Sequence, residues 1–309
     1  MCTDLVADWS CACPTTTTPL FGGKNCTVEL IGCAKNLCAN KALCRPKLLN
    51  ETLKTHGYDC LCPPGFTGTY CNVTTIMSFD GTADVVVKSQ QTPNSVRLSF
   101  RTTIQNGILA YSADKVNASN AYFIIELVSN ALTLSYKTVN MSAAAQVTHA
   151  SFAALNDAEW HEAMLVIKPN SLNLTLPNCG KEDCSKFQLL TSPLTIDNTT
   201  AIGKFANSDN LSLSKRAFTG CLRDVRVNDV LVLPSDYKAA NPRMTVGCPR
   251  VEVCTPNPCT HGTCIDLWTK YRCECNRPYF GINCTDGESQ LLENCSFIGP
   301  GTGLFYPLI

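Results

Sequence analysis

Charge is scarce in this chain. Only 16% of its 309 residues are Asp, Glu, Lys or Arg, and 25 cations balance 25 anions to a formal net charge of zero. Without a basic excess there is little pull on a phosphate backbone, which argues against nucleic acid as a partner and against strong heparin binding as a main role. Long apolar runs are missing too. "YFII" and "AMLVI" fall far short of the roughly 20 residues that cross a bilayer. No export segment is visible, because Met1 is followed at once by Cys2 and Asp4 rather than by an apolar run. No stretch of a dozen residues carries a convincing helical period. Nor is any pair of cysteines spaced Cys-x-x-Cys, which removes thioredoxin-like redox chemistry.

Cysteine itself is abundant, with 21 in the chain, and this points to an oxidising compartment. In "VCTPNPCTHGTCIDLWTKYRCECNRPYFGINC" the six cysteines Cys254, Cys259, Cys264, Cys273, Cys275 and Cys284 have gaps of four, four, eight, one and eight. Structural zinc sites use pairs about two to four residues apart; Cys273 and Cys275 are too close to clasp one ion comfortably. Disulfides remain. A stretch this small buries too little apolar surface to offset its chain entropy, and each cross-link restores about 2–4 kcal/mol. Spacing alone leaves about fifteen connectivities for six cysteines.

The pattern repeats at Cys33, Cys38, Cys44, Cys60, Cys62 and Cys71, with gaps of four, five, fifteen, one and eight. "CLCPPGFTGTYC" matches "CECNRPYFGINC" in cysteine spacing and in the Phe-x-Gly or Phe-Gly turn before the final cysteine. Both stretches resemble EGF-like modules. That resemblance implies the pairs Cys33–Cys44, Cys38–Cys60, Cys62–Cys71, Cys254–Cys264, Cys259–Cys273 and Cys275–Cys284. The N-terminal "CTDLVADWSCACPTTTTPLFGGKNC" looks like the second half of such a module, with Cys13–Cys26 able to form and Cys2 and Cys11 lacking partners.

Between them lies a long stretch of a different kind. "VRLSF", "ALTLSYK" and "SLNLTL" alternate apolar and polar residues, whereas "FIIEL" and "AMLVI" read as continuously buried central strands. Gly, Asn, Asp and Pro punctuate the intervals. Many short strands separated by turns imply an all-β sandwich, and about 175 residues suffice for a real core. "VRLSFRTTIQNGILAYSAD", the Asp-x-x-Trp-His set Asp157, Trp160 and His161, and "FTGCLRDVRVND" around Cys221 together resemble a laminin G domain. This implies a Cys221–Cys248 bridge; "PNCGKEDC" suggests a local Cys179–Cys184 loop bridge. The expected fold is mainly β: a laminin G (concanavalin-like) β-sandwich flanked by small disulfide-rich EGF-like modules. The expected divisions are 1–28 (the C-terminal half of an EGF-like module), 29–72 (EGF-like), 73–249 (laminin G-like) and 250–285 (EGF-like). In 286–309, "CSFIGPGTGLFYPL" echoes "MSFDGTADVVV", as if a second laminin G-like domain began there; Cys295 is expected to be unpaired. The chain is thus expected to be a piece of a longer one.

Alternating EGF-like and laminin G modules resemble the ectodomains of Crumbs-type cell-polarity proteins, and "CIDLWTKYRCECNRPYFG" resembles them especially. Neurexins, Slits, agrin and flamingo-type cadherins share the modules. The resemblance implies no enzyme, and a glycosylated protein on the extracellular side of the plasma membrane, or secreted. Its partners are expected to be extracellular proteins, with homophilic or glycan contacts. It meets the membrane only through a span outside this chain. Sequons at Asn50, Asn72, Asn117, Asn140, Asn173, Asn198 and Asn210 are glycosylation candidates; those at Asn25, Asn283 and Asn294 abut cysteines.

Other polar residues fit plainer roles. His161 has no nucleophile with a matching third partner, so Trp160 is expected in the core and His161 at its edge. Glu159 and Glu162, three apart, would face opposite sides of a strand and could not flank one glycosidic bond. No cofactor is expected, with calcium the one candidate. Calcium-binding EGF-like modules use acids before the first cysteine and an Asp or Asn between the third and fourth. Asp266 sits correctly, in a segment that also fits the Asp/Asn β-hydroxylation pattern. Glu252 is the only acid before Cys254, and Arg250 stands where another is expected. At the laminin G rim, Ala121 replaces a ligand Asp, with Asp114, Asp209 and Asn210 in nearby loops.

Overall fold

The computed structural model describes residues 2–5, 8–15, 18–114, 121–149, 154–177, 179–180, 184–204 and 217–287, with 2–5 and 8–11 described by their main chain only. The chain divides into two compact units, Met1–Pro249 and Arg250–Ile309.

The first unit begins with four hairpins. They pair β1 (Cys2–Leu5) with β2 (Asp8–Cys11), β3 (Phe21–Gly22) with β4 (Val28–Glu29), β5 (Leu43–Asn50) with β6 (Thr55–Leu61), and β7 (Phe66–Thr67) with β8 (Val73–Thr74). Leu37, Leu43, Leu49 and Leu53 on and around them stay exposed, while Cys71 is fully buried. Sulfur takes the place that an apolar core holds in larger domains.

The sandwich comes next in the chain. Its strands are β9 (Met77–Asp80), β10 (Val85–Lys88), β11 (Ser95–Arg101), β12 (Gly107–Ala113), β13 (Tyr122–Val128), β14 (Ala131–Lys137), β15 (Ala145–His149), β16 (His161–Lys168), β17 (Ser171–Thr175), β18 (Ser185–Leu189), β19 (Thr199–Ile202), β20 (Thr219–Val227), β21 (Val230–Leu231) and β22 (Thr245–Val246). One sheet runs β10-β19-β12-β13-β14-β15; the other runs β18-β17-β16-β11-β20-β9-β22, with β21 paired to β20. Every strand pairing is antiparallel, and the five-residue α1 (Pro234–Lys238) is the sole helix among the described residues.

Alternation explains the packing. In β11, Val96, Leu98 and Phe100 are buried while Arg97 between them faces solvent. They meet Leu109, Phe123, Ile125, Leu132 and Leu134 of the opposite sheet in one core. Each such side chain contributes about 1.5–3 kcal/mol by leaving water. β13 is buried from Tyr122 to Leu127, as its continuous apolar run implied, and Ile108, Tyr111, Tyr122, Ile124 and Ala201 form a second cluster. β16 departs from that expectation. It alternates, with Ala163 and Leu165 buried and Met164 and Val166 only half-buried, because a single face of its sheet meets the core.

The ladder between β11 and β20 is irregular at one point. Its register runs Arg97↔Arg226 and then Ser99↔Arg223, so Asp224 and Val225 together oppose Leu98. Asp224 takes φ 53°, Val225 turns into the core, and Asp224 swings outward. This is a β-bulge: one extra residue re-aims a side chain without disturbing the inward alternation on either side.

Among its described residues, the second unit is built around the hairpin of β23 (Gly262–Asp266) with β24 (Tyr271–Cys275).

Candidate functional site

Nine disulfides organise the described residues. In the first unit they are Cys13–Cys26, Cys33–Cys44, Cys38–Cys60, Cys62–Cys71, Cys179–Cys184 and Cys221–Cys248; in the second, Cys254–Cys264, Cys259–Cys273 and Cys275–Cys284. In the two hairpins β5–β6 and β23–β24, cysteines face each other across the strands, Cys44 opposite Cys60 and Cys264 opposite Cys273. Neither facing pair bonds internally. Each cysteine reaches instead to one of the two that precede the hairpin, so the incoming chain is stitched to both strands. The main chains of Cys2 and Cys11 also stand opposite each other, between β1 and β2. The bonding state expected for Cys2 and Cys11, like that of Cys295 and the domain start expected in 286–309, lies outside the described residues, as do Asn117, Asp209 and Asn210.

The bulged Asp224 joins the sandwich to the module before it. Its Oδ2 accepts the Gly65 N–H at 2.9 Å, its Oδ1 accepts the Thr75 hydroxyl at 2.7 Å, and its own N–H reaches Thr75 Oγ1 at 3.3 Å. Gly65 has φ 91°, and an added Cβ would sit 2.9 Å from Ile76 Cδ1, so conformation and space both demand glycine there. Beside this contact lies a cleft of about 380 Å³ lined by Phe66, Arg97, Glu162, Arg223, Asp224 and Arg226. Its lining mixes cations and carboxylates, with Arg97 Nε paired to Glu162 Oε1. No sequence signal marked Asp224, because a bulge is a property of pairing and leaves a single strand's pattern ambiguous.

The Asp-x-x-Trp-His set lies at the start of β16, with one correction to its expected packing. Trp160 does not enter the core. It is half-buried, and the Arg223 guanidinium lies 4.2 Å over its ring. His161 opens β16, packs against the Phe100 ring at 5.6 Å, and meets Asp157 Oδ1 through Nε2 at 2.8 Å. Asp157 also accepts the Glu159 N–H at 2.8 Å. Burial pushes the Asp157 carboxyl up, but these hydrogen bonds and the histidine outweigh it and hold it below its ordinary value. Glu159 lies in the bend before β16 instead of sharing a strand with Glu162, so opposite strand faces are not what sets the two apart.

A buried acid lies on the other sheet. Glu126 in β13 is 2% exposed, accepts the Ser135 hydroxyl at 3.0 Å, and through Ser135 Oγ is linked to Gln146 Nε2 at 3.1 Å. Burial raises its pKa, with the Ser135 hydrogen bond opposing. Tyr111, two strands' width from Ser135, is pushed up to about 12 by burial and by Tyr122. The signal for Glu126 was visible as a lone acid inside "YFIIEL".

Of the calcium candidates, Asp266 ends β23 and Glu252 is exposed. Asp266 Oδ2 is paired with Arg250 Nη2. Among the described residues no three His, Cys, Asp or Glu side chains converge as a metal-binding group. At the laminin G rim, Ala121 is buried and its carbonyl accepts the Asp114 N–H at 2.8 Å. Of the sequons, Asn50, Asn72 and Asn140 are exposed. Asn173 is half-buried on β17, and Asn198 Nδ2 donates to the Ser89 carbonyl at 2.9 Å. No helix among the described residues is long and apolar enough to cross a membrane.

Known proteins fit this geometry. The laminin G domain family matches residues 100–230 and the EGF-like domain family matches residues 254–283. Among solved structures, the LG1-3 region of the laminin alpha2 chain superposes with a TM-score of 0.50 at 19% identity, covering 65% of this chain and 38% of that one, which shows the sandwich fold. Protein crumbs homolog 2 of Homo sapiens is 34% identical over 235 residues, covering 75% of this chain and 17% of that protein. Protein crumbs homolog 1 of Mus musculus is 28% identical over 311 residues, covering 92% of this chain and 21% of that protein. Protocadherin-like wing polarity protein stan of Drosophila melanogaster is 25% identical over 338 residues, covering 97% of this chain and 9% of that protein. The chain therefore spans a small part of the length of these relatives. Its two matched domain families are non-enzymatic and extracellular in type. With a laminin G sandwich, a following EGF-like unit and this kinship, the chain is a Crumbs-like laminin G and EGF-like protein.

Proposed function

We propose that this chain is the contact-making extracellular part of a Crumbs-like apical-polarity membrane glycoprotein, with no catalytic role. The laminin G sandwich presents surface for protein contacts, and the disulfide-stitched units act as stiff spacers. The observation that carries this reading is the 34% identity to a crumbs homolog over 75% of the chain, a span that takes in more than either matched domain alone. The chemistry of the surface supports it: mixed charge at the cleft beside Asp224 suits protein recognition better than polyanion binding. Partners on this reading are extracellular proteins, including a second copy of the same chain.

The test is to tag the endogenous protein in a polarised epithelium and fractionate the culture. Retention at the apical membrane, together with clustering of beads coated with this chain, supports the proposal. Recovery of the whole product from the medium or the matrix overturns it in favour of a secreted ligand that binds receptors or glycans.

A further inference from the structure

EGF-like modules of the calcium-binding kind gather oxygens around an ion at their N-terminal end, and Asp266 occupies one of those ligand positions. The rest of the site does not fit a metal. Arg250 leads into the second unit, and its Nη2 is paired with Asp266 Oδ2. The Arg250 side chain is only 8% exposed, and its guanidinium carbon lies 4.8 Å from the centre of the Trp268 ring, itself 2% exposed. Asp266 uses its other oxygen, Oδ1, to accept the Trp268 N–H at 2.8 Å. Trp268 takes φ 75°, a conformation that bulky residues rarely adopt. It is held there by the Asp266 hydrogen bond on one side and the guanidinium on the other.

We infer that Arg250 is a built-in cation for the second unit, standing in the role that calcium plays in metal-binding modules of this fold. The guanidinium neutralises Asp266, covers the indole and fixes the start of the unit to the β23–β24 hairpin. A divalent ion would have to displace it and leave a charge buried against Trp268 without a partner, which is strongly unfavourable. Arginine stays protonated at any physiological pH, and a covalently attached cation is not removed by dilution or chelation. The unit is therefore indifferent to the calcium level of its surroundings. This inference rests on Arg250, Asp266 and Trp268 alone and stands apart from the proposed function.

Terbium luminescence tests it on the full chain, since Trp268 would sensitise an ion bound at Asp266. The wild-type chain is expected to give no emission that depends on Asp266: Asp266→Asn leaves the signal unchanged, and thermal unfolding in calcium and in chelator coincides. Arg250→Asp, with Cys254–Cys264, Cys259–Cys273 and Cys275–Cys284 verified by peptide mapping, is expected to gain saturable emission displaced by calcium, with half-saturation at about 10⁻⁴–10⁻³ M, as in extracellular calcium modules. Two results overturn the inference. One is wild-type emission that calcium displaces and Asp266→Asn abolishes, a measurement that needs no variant of Arg250. The other is a correctly bridged Arg250→Asp chain that gains nothing.

Discussion

The bridges of the sandwich are expected to differ in worth by an amount set by the loops they close. Cys221 lies on β20, flanked by Ser78 of β9 and Arg101 of β11. Cys248 lies just after β22, a strand of two residues that pairs only with β9. Their bond spans a separation of 27 residues that holds β21, α1 and β22, whereas Cys179–Cys184 spans 5. The chain-entropy relation then gives about 3.6 kcal/mol for the long loop and about 2 kcal/mol for the short one at 25 °C. For a domain of this size, about 2–4 °C in Tm per kcal/mol translates these into losses of roughly 7–14 °C and 4–8 °C. The comparison uses Cys221→Ala with Cys248→Ala against Cys179→Ala with Cys184→Ala, so that no free thiol remains. Cys221 and Cys179 are both buried, so loss of their sulfur contacts enters both arms alike. Calorimetry and urea unfolding read the result. Equal shifts, or a larger one for the short loop, would refute the reasoning and place the stabilisation in native packing instead of in the unfolded chain.

Four further outcomes are expected. Asp224→Ala removes two hydrogen bonds to a charged group, at about 1.5–3 kcal/mol each as an upper range; hydrogen exchange should rise at Gly65 and around Thr75 while the sandwich strands stay protected. Glu126 has a raised folded pKa, so its folded form prefers the proton and stability falls as pH climbs through and above its ordinary value; Glu126→Gln, which keeps the acceptor for Ser135, should be more stable at neutral pH with the gain vanishing on acidification, and a gain that is flat with pH in urea titrations would contradict this. Asp157 carries the opposite sign, its lowered pKa giving stability that is lost as pH falls through it, so Asp157→Asn should flatten the acid limb of the same curve. Glycopeptide mapping should find Asn50, Asn72 and Asn140 occupied and Asn198 largely bare, since the Asn198 amide is engaged with Ser89.

Much of the fold was legible because a strand records its environment in its own alternation. "VRLSF" became β11 with Val96, Leu98 and Phe100 inside, and "FIIEL" became the buried β13. The same signal misled for "AMLVI", where Met164 and Val166 are apolar yet only half-buried. Apolarity permits burial without requiring it, and the number of sheets packed against a strand is not written in that strand. Trp160 was misplaced for a related reason: its preference for burial is met by the stem and head of Arg223, a neighbour supplied by a strand some sixty residues on. Cysteine spacing marked the small units, but choosing among connectivities needed the family resemblance. The Arg250–Asp266 pair was half visible, as a cation in an acid's place; its stacking on Trp268 was not, because that depends on the left-handed turn after β23.

The inserted residue in β20 is dispensable to the ladder that contains it. Arg223 and Arg226 face outward and Leu222, Val225 and Val227 face inward whether or not Asp224 lies between them, since its excision would leave a regular ladder opposite Arg97, Leu98 and Ser99. The strand pairing of the sandwich has no need of that residue for itself. Deleting it should leave the sandwich ladder intact while unlatching the preceding module, with the buried Thr75 hydroxyl losing its acceptor as the one cost inside the domain, so the chain encodes its inter-module joint in a position that the ladder alone does not require.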